Sequence, residues 1–336
     1  MLKVSILVPV YGVEQFIERC SRSLFEQTYS CLEYVFVDDC SPDNSILILN
    51  KIINEYPERA TNTRILRHDK NRGLAASRNT AISAACGTFV IHVDSDDWLE
   101  PNAVQLLVDK QLETGADIVS GSAYMHTRSG IEDLYEPVYQ DKEEMVLQQL
   151  KYSWDHVIWR RLIRRSLYLD YGIKCLDGCD MAEDRYQMAL LSFYANSFSR
   201  IDEFVYNYEK RNEGSIMAQR GGERIVRKGF QYLSNWIGIK DFFFGKNALF
   251  YKEAAKQTVL YSQNVLDWVL KFDGYSAFHH IVSIIDRLDK EYFPLIGWEI
   301  KGVKGALLHC YPFMKICSIN KRANRVLKKK IKRICH

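Results

Sequence analysis

The first 120 residues alternate between strand-like and helix-like segments, and this alternation limits the chain to a small set of folds. Residues 4–10 form a continuous apolar run closed by a turn, the pattern of a strand buried on both faces. Residues 13–29 carry apolar groups at Phe16, Ile17, Cys20 and Leu24, a helical period. Residues 34–37 are a second β-rich run. Residues 45–56 form a helix with Ile46, Leu49, Ile52, Ile53 and Tyr56 on one side, and residues 63–66 a third strand. Residues 74–85 are an Ala-rich helix that stops at Gly87. Residues 88–93 make a fourth strand, Pro101 opens the next helix, and residues 117–120 make a fifth strand. Four strand–helix units in a row predict a mostly parallel sheet with helices on both faces.

In such sheets ligands bind beyond the carboxyl ends of the strands. The polar clusters stand there: Pro9-Val10-Tyr11-Gly12 after the first strand, Asp38-Asp39-Cys40-Ser41 after the second, and Asp94-Ser95-Asp96-Asp97 after the fourth. Three strand ends converge on one crevice.

Asp94, Asp96 and Asp97 lie within four residues. Carboxylates this close repel one another unless a cation or strong donors compensate. Hard oxygen ligands on a short turn suit Mg²⁺ or Mn²⁺, which bridge protein carboxylates and substrate phosphates. The competing reading is a solvated turn in which one Asp caps the helix starting near Pro101. In the second cluster Ser41 or Asp43 is placed to cap the helix that begins near Ser45. Capping leaves the two consecutive acids before the turn unexplained.

Composition narrows the classes. The 47% hydrophobic and 26% charged residues are those of an ordinary globular protein, and a net charge of +3 does not by itself imply a nucleic-acid partner. Nine cysteines, an odd number without a CxxC pair, fit free thiols in a reducing cytoplasm; Cys175 and Cys179 are the close pair before the tail. The N-terminal apolar run is too short for a signal peptide and stops at Pro9, and no stretch approaches the roughly 18 apolar residues of a membrane span. We therefore expect a cytoplasmic chain.

The ordered set of motifs resembles the family 2 glycosyltransferases, which have the GT-A fold. It comprises Val8-Pro9-Val10-Tyr11 with Glu14, Ser23-Leu24 with Gln27-Thr28, and Val37-Asp38-Asp39 with Ser41 and Asp43. It continues through Asn71-Arg72-Gly73-Leu74, Ala76 with Arg78-Asn79, Gly87, and Asp94-Ser95-Asp96-Asp97. The likeness runs over residues 3–120, with weaker marks to about 215. It implies a Rossmann-like sheet that binds a nucleotide-diphospho-sugar, with a helical C-terminal region. Pro9, Val10, Tyr11 and Glu14 would line the nucleoside pocket, and Asp39 would bind the base, usually uracil. Asn71, Gly73 and Arg78 would form the donor floor, with Asp94 and Ser95 at the donor ribose or sugar. Asp96 would hold Mn²⁺ or Mg²⁺. Gly12 stands where the family more often has Asn, and Cys40 where it often has Gly; neither position has an assigned chemical role.

Met181-Ala182-Glu183-Asp184-Arg185 resembles the family's Glu-Asp motif at the head of a helical run. By that likeness Asp184 is the base of an inverting transfer, supported by Glu183. The competing reading is acids that merely complement a helix N-terminus. The segment Trp159-Arg160-Arg161-Leu162-Ile163-Arg164-Arg165-Ser166 resembles a basic-aromatic segment that commonly precedes the motif. Tyr208, Arg211 and Ser215 resemble a closing segment near the diphosphate, with Arg211 as a phosphate contact against the alternative of a solvated loop.

From about residue 140 the pattern reads as helical and aromatic. We divide the chain into a donor-binding subdomain (1–120), an acceptor-binding and catalytic subdomain (121–220), a helical region (221–319) and a basic amphipathic tail (320–336). The tail places Leu327, Ile331 and Ile334 on one stripe among Lys and Arg, with no acid, which suits peripheral contact with an anionic membrane. A solvated tail and a nucleic-acid contact are the other readings. The aromatic helices after Arg224 could pair subunits in a homodimer. The expected activity is transfer to a glycan or lipid-linked acceptor in bacterial surface polysaccharide synthesis. A processive synthase would carry a Gln-x-x-Arg-Trp motif, and Gln219-Arg220-Gly221-Gly222-Glu223-Arg224 lacks the Trp. A nucleotidyltransferase would carry a Gly-rich basic loop after the first strand, and a non-catalytic sugar-nucleotide binder would need no base.

Overall fold

The computed structural model describes residues 1–151, 156–215 and 222–272. In chain order its elements are β1 (Val4–Val10), α1 (Ile17–Phe25), β2 (Leu32–Asp38), α2 (Ser45–Glu55), α3 (Pro57–Ala60), β3 (Thr63–Arg67), α4 (Leu74–Ala84) and β4 (Phe89–His92). There follow β5 (Trp98–Leu99), α5 (Ala103–Thr114), β6 (Ile118–Thr127), β7 (Gly130–Leu134), α6 (Lys142–Lys151), β8 (Arg161–Arg164), α7 (Ser166–Asp170), α8 (Glu183–Tyr194) and β9 (Phe198–Glu209). Two further helices are α9 (Gly222–Phe243) and α10 (Ala248–Phe272).

The strands form one sheet in the order β3-β2-β1-β4-β8-β6-β9-β5, with β7 paired to β6. β1 runs parallel to both β2 and β4, and β2 parallel to β3, so four strand ends point the same way. The alternation of strands and helices over the first 93 residues is as expected. On one face of the sheet Val4, Ile6, Val8 and Val10 join Tyr34, Phe36, Phe89 and Ile91 in a core closed by α1, α2 and α5. On the other, fully buried Leu7, Val35 and Val90 face the opposite way along the same strands, where the small residues of α4 let it lie close to β1 and β2.

The second half departs from the helical expectation. The fifth expected strand is ten residues long, and residues 140–220 contribute β8 and the twelve-residue β9 as well as helices. β9 pairs parallel with β6 through a bulge at Ser120–Ser122. Its first half carries Ser199, Arg200, Asp202 and Glu203, which mask the apolar alternation of a strand. The segment 159–166 is likewise not a free basic surface. Arg160 and Arg161 are fully buried and share Glu136, at 2.8 and 3.1 Å.

Of the two capping expectations, the one at α2 holds for Asp43 and the one at α5 does not. At α2, Asp43 Oδ1 accepts the backbone N–H of Ser45 at 3.1 Å, while Ser41 Oγ accepts the N–H of Gly12. At α5, none of the acids of the 94–97 turn serves as cap. Gln27 Oε1 accepts the N–H of Val104 at 3.1 Å, and its Nε2 donates to the carbonyl of Glu100.

The chain divides into two compact units, Met1–Ala218 and Gln219–His336. Within the second, α9 and α10 pack along each other, with Tyr232 stacked on Tyr261 at 4.0 Å. Among the described residues the six cysteines are free thiols, and no helix is long and apolar enough to cross a membrane. The basic tail 320–336, the helical patterning beyond residue 272, Cys310, Cys317, Cys335 and the Gln219–Gly221 segment lie outside the described residues.

Candidate active site

The carboxyl ends of β1 and β2 are tied into one surface. Asp39 N–H donates to the carbonyl of Val10 at 3.0 Å. Glu14 N–H donates to Asp43 Oδ2, and Glu14 Oε2 accepts from both nitrogens of Asn44 at 3.1 Å. Val10 is buried in the core and Pro9 is covered, so the strand itself supplies position, while Tyr11 stands 49% exposed at its mouth. The Asp39 carboxylate accepts three bonds: from the N–H groups of Arg72 and Gly73, both at 2.8 Å, and from His68 Nδ1 at 2.6 Å. A carboxylate offers about four acceptor sites, so one remains. Asn71 is exposed beside this turn.

The acid turn after β4 splits into two kinds of carboxylate. Asp97 is fully buried, and its Oδ1 accepts the N–H of Glu209 at 2.7 Å. Its Oδ2 accepts from the Tyr206 hydroxyl, which in turn accepts the N–H of Asp94. Asp97 therefore fastens the turn to β9. Asp94 and Asp96 remain partly exposed on either side of buried Ser95. Burial, and then the charge of Asp94, pushes the Asp96 carboxyl up to about 6. Asn212 Nδ2 donates to Asp96 Oδ2 at 2.8 Å.

Arg78, 2% exposed on α4, joins this turn to the head of α8. Its Nη2 donates to Asp94 Oδ1 at 2.8 Å, and its Nε lies 3.3 Å from Glu183 Oε1. Burial and the neighbouring Asp184 charge push Glu183 up to about 8, against the pull of Arg78. Burial also raises Asp184, against the charge of Arg78 and the N–H of Arg185, which donates to its Oδ1 at 2.7 Å; both favour the ionised form. His156 Nε2 lies 3.7 Å from the same oxygen. The structure thus brings Asp94, Arg78 and Glu183 into one chain of contacts, with Asp184 next to Glu183 at the head of α8. Arg211 is held differently: it forms a two-pronged pair with Glu209, at 2.6 Å on each arm, and is 48% exposed. A cleft of about 650 Å³ between α1 and residues 98–101 is lined by Arg19, Arg22, Trp98 and Glu100, and Asp94, Asp96, Glu183 and Asp184 do not border it.

The acid turn fits a divalent cation shared with a substrate. Asp94 and Asp96 present hard oxygens, burial and then the Asp94 charge raise the proton affinity of Asp96, and Arg78 is the guanidinium set against Asp94. Among the described residues no three His, Cys, Asp or Glu side chains form a ready-made cage. An ion here would complete its shell with substrate oxygens and water, the habit of Mg²⁺ and Mn²⁺.

Sequence reading passed over several residues in this network. His156, Asp180 and Asn212 are single polar residues in loops, and nothing in their spacing marks them. Arg19 donates to the Asp96 carbonyl at 3.0 Å from a helix otherwise read only for its apolar period.

The sequence profile of Glycosyl transferase family 2 matches residues 5–179. The chain belongs to glycosyltransferase family 2. It is 34% identical over 224 residues to the uncharacterized glycosyltransferase EpsJ of Bacillus subtilis, a match that covers 63% of this chain and 62% of EpsJ. The chain therefore spans less than two thirds of that relative's length. The fold is that of the GT-A glycosyltransferases. The crystal structure of S. aureus TarS in complex with UDP-GlcNAc aligns with a TM-score of 0.56 at 19% identity, over 91% of each chain. The mannosyltransferase PcManGT from Pyrobaculum calidifontis, in complex with GDP-Man and Mn²⁺, aligns with a TM-score of 0.54 at 15% identity, over 97% of this chain and 86% of its own.

Proposed function

We propose that this chain transfers a sugar, with inversion, from a nucleoside-diphosphate donor to a hydroxyl of a glycan or lipid-linked acceptor in surface polysaccharide synthesis. The observation that supports this most directly is the contact chain Asp94–Arg78–Glu183, with Asp184 adjoining it at the carboxyl end of the parallel strands. A UDP-sugar is the favoured donor. Residues 1–120 bind it and residues 121–220 present the acceptor and the base.

In this reading Tyr11 packs on the base and the remaining acceptor site of Asp39 takes its N–H. Asp94 and Ser95 accept from donor hydroxyls above the Asn71–Gly73 floor. Asp96, with Asp94 beside it, holds Mn²⁺ or Mg²⁺, which when bound neutralises the diphosphate leaving group. Asp184 takes the proton of the acceptor hydroxyl as that oxygen bonds to the anomeric carbon and the bond to the diphosphate breaks. Glu183 keeps its own proton and so leaves Asp184 as the ionised member of the pair. Arg211 exchanges its Glu209 contact for a donor phosphate. The basic tail 320–336 holds the enzyme at an anionic membrane, and α9 and α10 are the candidate surface for a homodimer. Tail binding is checked by sedimentation with anionic vesicles, with and without residues 320–336.

The test of the transferase reading is release of UDP from a panel of UDP-sugars with and without Mn²⁺. Metal-dependent UDP release supports the reading. Calorimetry that finds no nucleoside diphosphate bound with either metal would sink it.

A further inference from the structure

Three fastenings hold the loop that leads into Glu183 and Asp184 at the head of α8, and all three come from one face of α4. The Asn79 side chain grips the backbone of Cys175 at both ends. Its Nδ2 donates to the carbonyl at 3.0 Å, and its Oδ1 accepts the N–H at 2.8 Å. Arg78 Nε meets Glu183 at 3.3 Å. Asp180 Oδ1 accepts the N–H of Ala75 at 3.0 Å. Ala75, Arg78 and Asn79 stand at helix positions i, i+3 and i+4, which share a face.

The Asp180 contact meets a specific need. The residue before α4 is Gly73, which has no side chain with which to cap the helix. An N–H of the first turn is therefore orphaned unless another group reaches it. Asp180 supplies that group from 105 residues downstream, and its charge complements the positive end of the helix. The fit is tight: a Cβ on Gly73, whose φ is +92°, would fall 2.5 Å from the Asp180 carboxylate oxygens. The amides of Arg72 and Gly73 are bonded by Asp39. Two carboxylates, one from the end of β2 and one from the loop before α8, thus hold a single turn from opposite sides.

The geometry points to Asp180 as a positioning residue that sets the distance between the Gly73 turn of the proposed donor floor and the Glu183–Asp184 pair. It takes no part in proton transfer. The inference rests on the transferase reading above.

The test compares the full-length chain with Asp180→Ala and Asp180→Asn. Amide hydrogen exchange is read without substrate, and kcat, KM for the donor and the pH profile are read with it. Asp180→Ala should lose exchange protection at Ala75 and across residues 176–184 while β1, β2 and β4 keep theirs. Its kcat should fall roughly 10- to 100-fold, the scale of a small misplacement of reacting groups, with donor KM and the pH profile little changed. Asp180→Asn retains an acceptor oxygen and should restore most of both readouts. Unchanged exchange in Asp180→Ala would overturn the inference. So would a loss carried equally by donor KM, or a pH profile displaced by either substitution. A wild-type chain that protects Ala75 through Asp180 but turns over no donor would overturn the transferase reading instead.

Discussion

Replacing Glu183 with Gln should remove a pH-dependent weakness from the fold. Glu183 is 5% exposed, and burial with the adjacent Asp184 raises it from 4.5 to about 8. The folded chain therefore keeps this proton through neutral pH, whereas the unfolded chain has lost it. Between those two values unfolding releases a proton, so raising the pH favours the unfolded state. Below 4.5 both states are protonated and above about 8 both are ionised, so the contribution changes only inside that window. The slope of a fully perturbed group is about 1.4 kcal/mol per pH unit, so wild type should lose on the order of 2–3 kcal/mol relative to the variant between about pH 5.5 and 7.5. The amide of Glu183→Gln is nearly isosteric and does not titrate. Urea unfolding of both proteins at four pH values and one ionic strength gives the difference directly, since other titrating groups cancel. Parallel curves, or a wild type that gains on the variant as pH rises, would refute a neutral Glu183.

Asp184→Asn should lower kcat by roughly 10²- to 10⁴-fold while UDP binding in calorimetry stays near wild type, because in the proposed reading Asp184 acts only on the acceptor proton. Gly73→Ala should cost about 1–3 kcal/mol in urea unfolding, since it places a Cβ at positive φ against Asp180. It should also weaken donor binding. Glu136→Gln should cost about 3–5 kcal/mol by the same measure, because it strips the shared counter-charge from buried Arg160 and Arg161.

The first four strands and their helices were legible because apolar period and turn chemistry agree there at every step. The strand-end turns at Pro9–Gly12, Asp38–Ser41 and Asp94–Asp97 were legible as positions, since parallel strands send their carboxyl ends to one side. What the sequence left hidden is long-range pairing. Gln27 belongs to the recognised motif, yet its work as the cap of α5 depends on a contact spanning 77 residues. Asp97 reads as a third member of the acid turn, but Tyr206 and Glu209, more than a hundred residues away, make it a fastener. β9 was hidden for another reason: its polar first half breaks the alternation on which strand recognition rests.

The separation of the acids into two populations argues for function more strongly than their number does. Where carboxylates serve packing, this chain compensates them. Glu136 has two arginines, Asp117 has Arg164 at 2.6 Å, and Glu33 accepts from Ser5 and the N–H of Cys86 with Lys3 beside it. At the carboxyl ends of the strands the same chain sets Asp94, Asp96, Glu183 and Asp184 together and gives them chiefly Arg78. Burial first, and the neighbouring acids after it, raise the proton affinities of Asp96, Glu183 and Asp184, so these acids are desolvated without full compensation. A scaffold selected for stability alone would relieve it with one more basic residue or an apolar substitution, changes that commonly stabilise. Keeping the charge unbalanced, and holding it rigid through Asp97, Tyr206 and Asp180, costs stability in the free protein. In the proposed reading that cost would be recovered when a cation and a diphosphate bind, the balance expected of a site built for a ligand that carries its own metal.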